Sequence, residues 1–137
     1  MEQRLTLITL GVADLKQSAK FYHDGLGWKA TEDSSDHIIF IQMNGFLLSL
    51  YPHNELAADA TVAEDRSNFR GFTLAYNVSN TSQVDEVLAF AQKAGAKLVK
   101  PAQKASWGGY SGYFSDPDGF LWEVACGSSM DPIEVSE

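Results

Sequence analysis

The sequence predicts an α+β fold of two tandem βαβββ modules, whose strands form a curled mixed sheet around a cavity. Three observations predict it. An order of short strands and amphipathic helices runs through twice, the last strand of each run opens on Gly-Phe-Leu, and alternate residues along the strands divide into an apolar set and a mixed set. With 137 residues and 45% hydrophobic composition, the chain can build one domain with a sizeable core but not two ordinary ones. We therefore expect a single domain over residues 1–137, with a first module at 4–52, a connector at 53–70 and a second module at 71–127.

The first module opens on residues 5–12, Leu-Thr-Leu-Ile-Thr-Leu-Gly-Val, a short β-branched and apolar run that reads as a strand. Asp14 is placed to cap a helix, Leu15, Ser18, Ala19, Tyr22 and Leu26 recur at helical spacing, and Gly25 and Gly27 end the pattern. Three extended segments follow at 28–32, 37–43 and 46–51. The last two are joined by Asn44-Gly45, a strong signal for a tight hairpin. Residues 52–70 have no sustained apolar period and are expected to connect, with one short helix near 55–59.

The second module repeats the order. Residues 71–78 read as a strand, and Ser82 is expected to cap a helix whose apolar face is Val84, Val87, Leu88, Ala91 and Ala94, ending at Gly95. Residues 97–100 are a strand before Pro101, and 112–115 and 120–125 are two more, joined by the reverse-turn sequence Asp116-Pro117-Asp118-Gly119. Two anchors register the repeat. Val12 corresponds to Val78, and the run from Gly45 through Leu50 corresponds to the run from Gly119 through Val124.

Side chains alternate between the faces of a strand. One parity collects Ile8, Leu10, Val12, Leu48, Leu50, Phe72, Leu74, Tyr76, Val78, Trp122 and Val124, nearly all apolar and expected to face the helices. The other collects Leu5, Leu7, Thr9, Ser49, Tyr51, Thr73, Ala75, Asn77, Leu121, Glu123 and Ala125, a mixed set suited to a concavity that receives a ligand.

Charge and composition exclude several classes. A net charge of −8 with scattered Lys and Arg would repel a phosphate backbone, so nucleic acid is disfavoured as a partner. The longest apolar runs, such as Ile38-Ile39-Phe40-Ile41, fall far short of the about 20 residues that span a bilayer, so no membrane role is expected. Met1-Glu2-Gln3-Arg4 runs straight into strand-like sequence without the features of a secretory signal, and Cys126 is the only cysteine, so the expected location is cytoplasmic.

The ordered motifs Gly11-Val12-Ala13-Asp14-Leu15 with Ser18, Phe21-Tyr22 and Gly25-Leu26-Gly27, then Gly95-Ala96-Lys97, the run from Trp107 to Phe114 and the run from Asp116 to Val124, resemble the vicinal-oxygen-chelate superfamily, the glyoxalase, bleomycin-resistance and dioxygenase-like proteins. The resemblance covers nearly the whole chain. It implies the predicted fold and a symmetric homodimer, but no single activity, because similar proteins include glyoxalases, extradiol dioxygenases, epimerases, thiol transferases and drug-sequestering proteins. In metal-dependent members, four cavity-facing positions carry His, Gln or Glu. Matching the motifs puts those positions at Leu7, Ser49, Thr73 and Glu123, of which only Glu123 is a metal-ligand type. His23, His37 and His53 match none of them and read as surface residues. No metal and no cofactor are therefore expected.

Glu123 remains as the one ionisable group expected on the mixed face, where desolvation would favour its neutral form and suit it to acid-base work. The alternative is a structural carboxylate held by a neighbouring hydroxyl or Lys. Trp107-Gly108-Gly109-Tyr110 is a second candidate, two aromatics on a glycine loop able to close on an apolar or planar ligand; its alternative is a packed hairpin. Leu7, Ser49, Thr73, Trp107, Tyr110 and Glu123 thus form the candidate ligand-binding set. Two functions stay open: a metal-free pocket that binds a small, partly apolar molecule, or a lyase or isomerase of the glyoxalase type, or a dioxygenase-like enzyme, using Glu123 as acid-base group or metal ligand. A scaffold without activity is a third.

Overall fold

The computed structural model describes residues 1–67 and 69–127 and divides the chain into two compact units, Met1–Asn68 and Phe69–Glu137.

In the first unit, β1 (Leu7–Val12) runs parallel to β3 (Leu47–Pro52), which pairs antiparallel with β2 (Ile39–Gln42), giving the order β1-β3-β2. The Asn44-Gly45 turn joins β2 to β3, with Gly45 at φ +88° and the Met43 N–H donating to the Phe46 carbonyl at 2.9 Å. Asp14 caps α1 (Leu15–Ala19), its Oδ1 accepting from the backbone N–H of Lys16 and Gln17. The expected single helix then widens. Residues Lys20–Gly25 form a π-helical turn, where the Leu26 N–H reaches back to the Phe21 carbonyl at 2.9 Å. Leu10, Val12, Tyr22, Leu48 and Leu50 are buried, as their parity and helical spacing required, and Phe21 and Ile41 complete the core.

The strand expected at 28–32 is a correction: only the bridge Ala30↔Ile41 forms. The Ser34 hydroxyl accepts from the Phe40 N–H at 2.9 Å and so takes the donor that would continue the ladder. The connector carries its helix, α2 (His53–Asp59).

The second unit holds β4 (Leu74–Asn77), α3 (Thr81–Ala94), β5 (Lys97–Lys104), β6 (Tyr110–Ser115) and β7 (Leu121–Cys126), with sheet order β4-β7-β6-β5 and only the β4 and β7 pair parallel. Helix α3 buries Val84, Leu88 and Ala91 and ends at Gly95 with φ 117°. Its N-cap is Asn80, not the expected Ser82: the Asn80 side chain accepts from the Gln83 N–H at 2.9 Å, which starts the helix at Thr81. Strand β5 does not stop at Pro101. It lies at the sheet edge with register shifts against β6, where a missing N–H is tolerated. The Asp116 carboxylate organises the β6–β7 turn by accepting from the N–H groups of Asp118 and Phe120, both at 2.9 Å.

The apolar parity set is buried at Val78, Trp122 and Val124 but not at Phe72 and Tyr76, which are 42% and 44% exposed. Phe72 precedes β4 and leans on Phe120, with ring centroids 6.0 Å apart, while Tyr76 sits on a short edge strand. Alternation alone does not reveal that β4 lacks a covering helix at these positions. The two units repeat one plan, a first strand ending at Val12 or, just before Val78, at Asn77, and a last strand entered through a left-handed glycine, Gly45 or Gly119. Among the described residues, no helix is long and apolar enough to cross a membrane.

Candidate functional site

In the second unit, the face of the sheet away from α3 carries the candidate carboxylate. Glu123 lies mid-strand on β7, opposite Tyr113 of β6 on one side and Ala75 of β4 on the other. Paired residues project to the same face, so these three stand together. The Tyr113 hydroxyl donates to Glu123 Oε2 at 3.4 Å, and the Thr73 side chain hydrogen-bonds Tyr113 in turn. Burial, and then the neighbouring Glu123 charge, push the Tyr113 phenol above its ordinary range, so it stays a donor at neutral pH. Leu121, two residues before Glu123, adds an apolar neighbour on the same face.

Thr73 and Glu123 are thus brought together by Tyr113, a residue absent from the sequence-derived set. The signal existed. Counting back through the Asp116–Gly119 turn, with Ser115 opposite Leu121, sets Tyr113 opposite Glu123.

In the first unit, Ser49 of β3 is fully buried between Thr9 and Phe40 and donates its hydroxyl to Thr9 Oγ1 at 3.2 Å. Leu7 of β1 is 36% exposed and offers no donor atom. His23 sits 2.8 Å from Asp24, His37 is exposed, and His53 stands against Gly11 with Nδ1 3.2 Å from Glu64. Among the described residues, no group of three or more His, Cys, Asp and Glu side chains converges as a metal site would.

Trp107 and Tyr110 stand apart from Glu123. Tyr110 opens β6 opposite Cys126, and its hydroxyl donates to Asp85 Oδ1 of α3 at 2.8 Å, which puts it on the helix side of the sheet. That bond and burial raise the Tyr110 phenol above its ordinary range. Trp107 is half exposed and lays its ring over Gly109, where any Cβ would overlap it. Beside this loop, Asp85, Lys104, Gly109, Tyr110 and Cys126 help line a cavity of about 530 Å³. The loop was expected to serve the Glu123 site; the register of β6 turns Tyr110 to the opposite face.

The family model described as Glyoxalase/Bleomycin resistance protein/Dioxygenase superfamily matches residues 4–124. A glyoxalase-related enzyme from Fulvimarina pelagi is 34% identical, with a TM-score of 0.85 over 99% of this chain and 100% of that one. A glyoxalase/bleomycin resistance protein/dioxygenase family enzyme from Burkholderia phytofirmans PsJN, 21% identical, superposes with a TM-score of 0.77 over 90% of this chain and 98% of that one. Lactoylglutathione lyase from Agrobacterium tumefaciens, also 21% identical, gives 0.69 over 93% and 96%. At that identity, the last two speak to the fold alone.

Proposed function

We propose that this chain, which belongs to the glyoxalase/bleomycin resistance protein/dioxygenase superfamily, binds a small, partly apolar molecule on the Glu123 face of its second unit, without a metal. The observation that carries the reading is the Tyr113–Glu123 hydrogen bond backed by Thr73. It turns Oε2 towards Tyr113 and leaves Oε1 to accept from a ligand N–H, while Ala75 and Leu121 supply apolar contact. The preferred ligand is therefore one that presents an amine or amide donor on an apolar body.

The donor set does not fit a transition metal. The four positions matched to the family's ligands supply an aliphatic side chain, two neutral hydroxyls each engaged in a hydrogen bond, and one carboxylate already accepting from Tyr113. The reading includes a symmetric homodimer, since the outer strands of both sheets leave edges to be covered, and a cytoplasmic location in keeping with a single, buried free cysteine.

One experiment tests the binding reading: thermal-shift screening of wild-type protein, Glu123→Gln and Tyr113→Phe against aromatic amines and the matched aromatic acids. Amines should raise the wild-type midpoint, with the shift lost in Glu123→Gln and reduced in Tyr113→Phe. Equal shifts in all three proteins would overturn the reading, as would near-stoichiometric zinc, nickel or iron in wild-type protein that is lost on Glu123→Gln.

A second reading is favoured by the Tyr113–Glu123 pair itself and by the 34% identical relative named a glyoxalase-related enzyme. Here Glu123 Oε1 takes a proton from carbon beside a carbonyl and returns it to the product, while the Tyr113 hydroxyl turns its one proton from Oε2 to the developing oxyanion. Turnover abolished by Glu123→Gln with ligand binding retained would select it.

A further inference from the structure

The first unit holds a second hollow, of about 350 Å³, built entirely from its own elements. Trp28, Ala30, Ile39 and Ile41 form an apolar lining, and Lys16 and Lys20 stand on its rim. Two departures from regular structure open it. The segment after α1 makes a single bridge to β2, at Ala30↔Ile41, and then turns away through Thr31 and Ser34, which hold the Phe40 carbonyl and N–H, so no full strand lies along that edge of β2. The π-helical turn Lys20–Gly25 carries the chain back so that the Trp28 N–H reaches the Tyr22 carbonyl at 3.0 Å and the two rings stack, with centroids 5.7 Å apart and planes 28° from parallel. Such widened turns recur at functional sites because they re-aim side chains that a regular helix would hold in line.

The charges on the rim give the hollow a sign. Lys16 and Lys20 are four residues apart, hence neighbours on one helical face. The ion pairs of the described residues are Arg4–Glu2, His23–Asp24, His53–Glu64 and Arg66–Glu64, so neither lysine is engaged in one. Asp24, also on the rim, turns its Oδ1 to His23 at 2.8 Å. The chain as a whole carries a net charge of −8, yet charges farther than the Debye length of about 8 Å are largely screened at physiological salt. The local field is therefore set by two ammonium groups free of ion pairs against the one Asp24 carboxylate, a net positive charge over an aromatic and aliphatic wall.

We propose that this hollow is a second ligand site, for a small carboxylic acid with a flat apolar body, its ring against Trp28 and its carboxylate at Lys16 and Lys20. The preferred charge is opposite to that of the Glu123 face, so the two sites are separable with matched probes. Naphthoate, naphthylmethylamine and naphthalenemethanol are titrated into full-length protein, read by tryptophan fluorescence and calorimetry. Naphthoate should bind more tightly than the amine. Lys16→Gln/Lys20→Gln should weaken naphthoate by about threefold to tenfold, with a smaller salt dependence, and leave the alcohol unchanged. Trp28→Leu should weaken naphthoate and alcohol alike by about tenfold. Ala30→Phe, at an exposed position on the hollow's wall, should abolish binding with unchanged circular dichroism, which keeps the test decisive if Trp28→Leu fails to fold. Glu123→Gln should leave naphthoate affinity unchanged. Naphthoate binding that is insensitive to the lysine and Ala30 substitutions, or lost in Glu123→Gln alone, would overturn the proposal.

Discussion

Removing the Tyr113–Glu123 contact in a double-mutant cycle tests the candidate site at its most specific point. The hydroxyl stands 3.4 Å from Oε2, longer than the roughly 2.5–3.0 Å of a short O–H···O bond. A hydrogen bond to a charged group contributes about 1.5–3 kcal/mol when well made. The added length and the half-buried setting bring the expected coupling down to about 0.5–1 kcal/mol. Urea unfolding of wild type, Tyr113→Phe, Glu123→Gln and the double variant measures it; with a slope near 2 kcal/mol/M, the coupling corresponds to roughly 0.3–0.5 M in midpoint. The phenol supplies an independent readout. Its folded pKa lies above the ordinary 10.0, so as pH rises the unfolded chain releases this proton first. The stability Tyr113 contributes is thus whole below pH 10 and lost as pH climbs through the folded value. Glu123→Gln should move the tyrosinate absorbance attributable to Tyr113 towards lower pH but not back to the ordinary value, because burial is the larger cause. A coupling within about 0.3 kcal/mol of zero, together with a phenol titration indifferent to Glu123→Gln, would refute the pairing on which the site rests.

Further outcomes follow from individual contacts. Asn80→Ala should cost about 1 kcal/mol by removing the cap of α3, whereas Ser82→Ala should change stability by only a few tenths; chemical denaturation of both decides which residue starts the helix. Gly112→Ala should destabilise by about 1–3 kcal/mol, because its Cβ would stand 2.8 Å from the Lys100 carbonyl oxygen and 2.9 Å from the Ala102 nitrogen, backbone atoms that cannot step aside; thermal unfolding reads it. Sedimentation at micromolar concentration should show a dimer, and only monomer would remove that part of the proposed function.

Much of the fold follows from local chemistry. The period of two in the strands, the helical spacing after Asp14, the Asn44-Gly45 hairpin and the Asp116–Gly119 turn each act through neighbours along the chain, so the order of elements other than the 28–32 segment, the internal repeat and most of the core are legible without the fold. What the tertiary structure decided are the outcomes of competition between partners distant in sequence or nearly equal in energy. Ser34 captured the Phe40 N–H and ended a strand that propensity favoured. Asn80 captured the Gln83 N–H ahead of Ser82. The pairing of β6 with β7 delivered Tyr113 to Glu123 and turned Tyr110 away to Asp85, because a side chain's face is set by strand register and a shift of one residue exchanges the two.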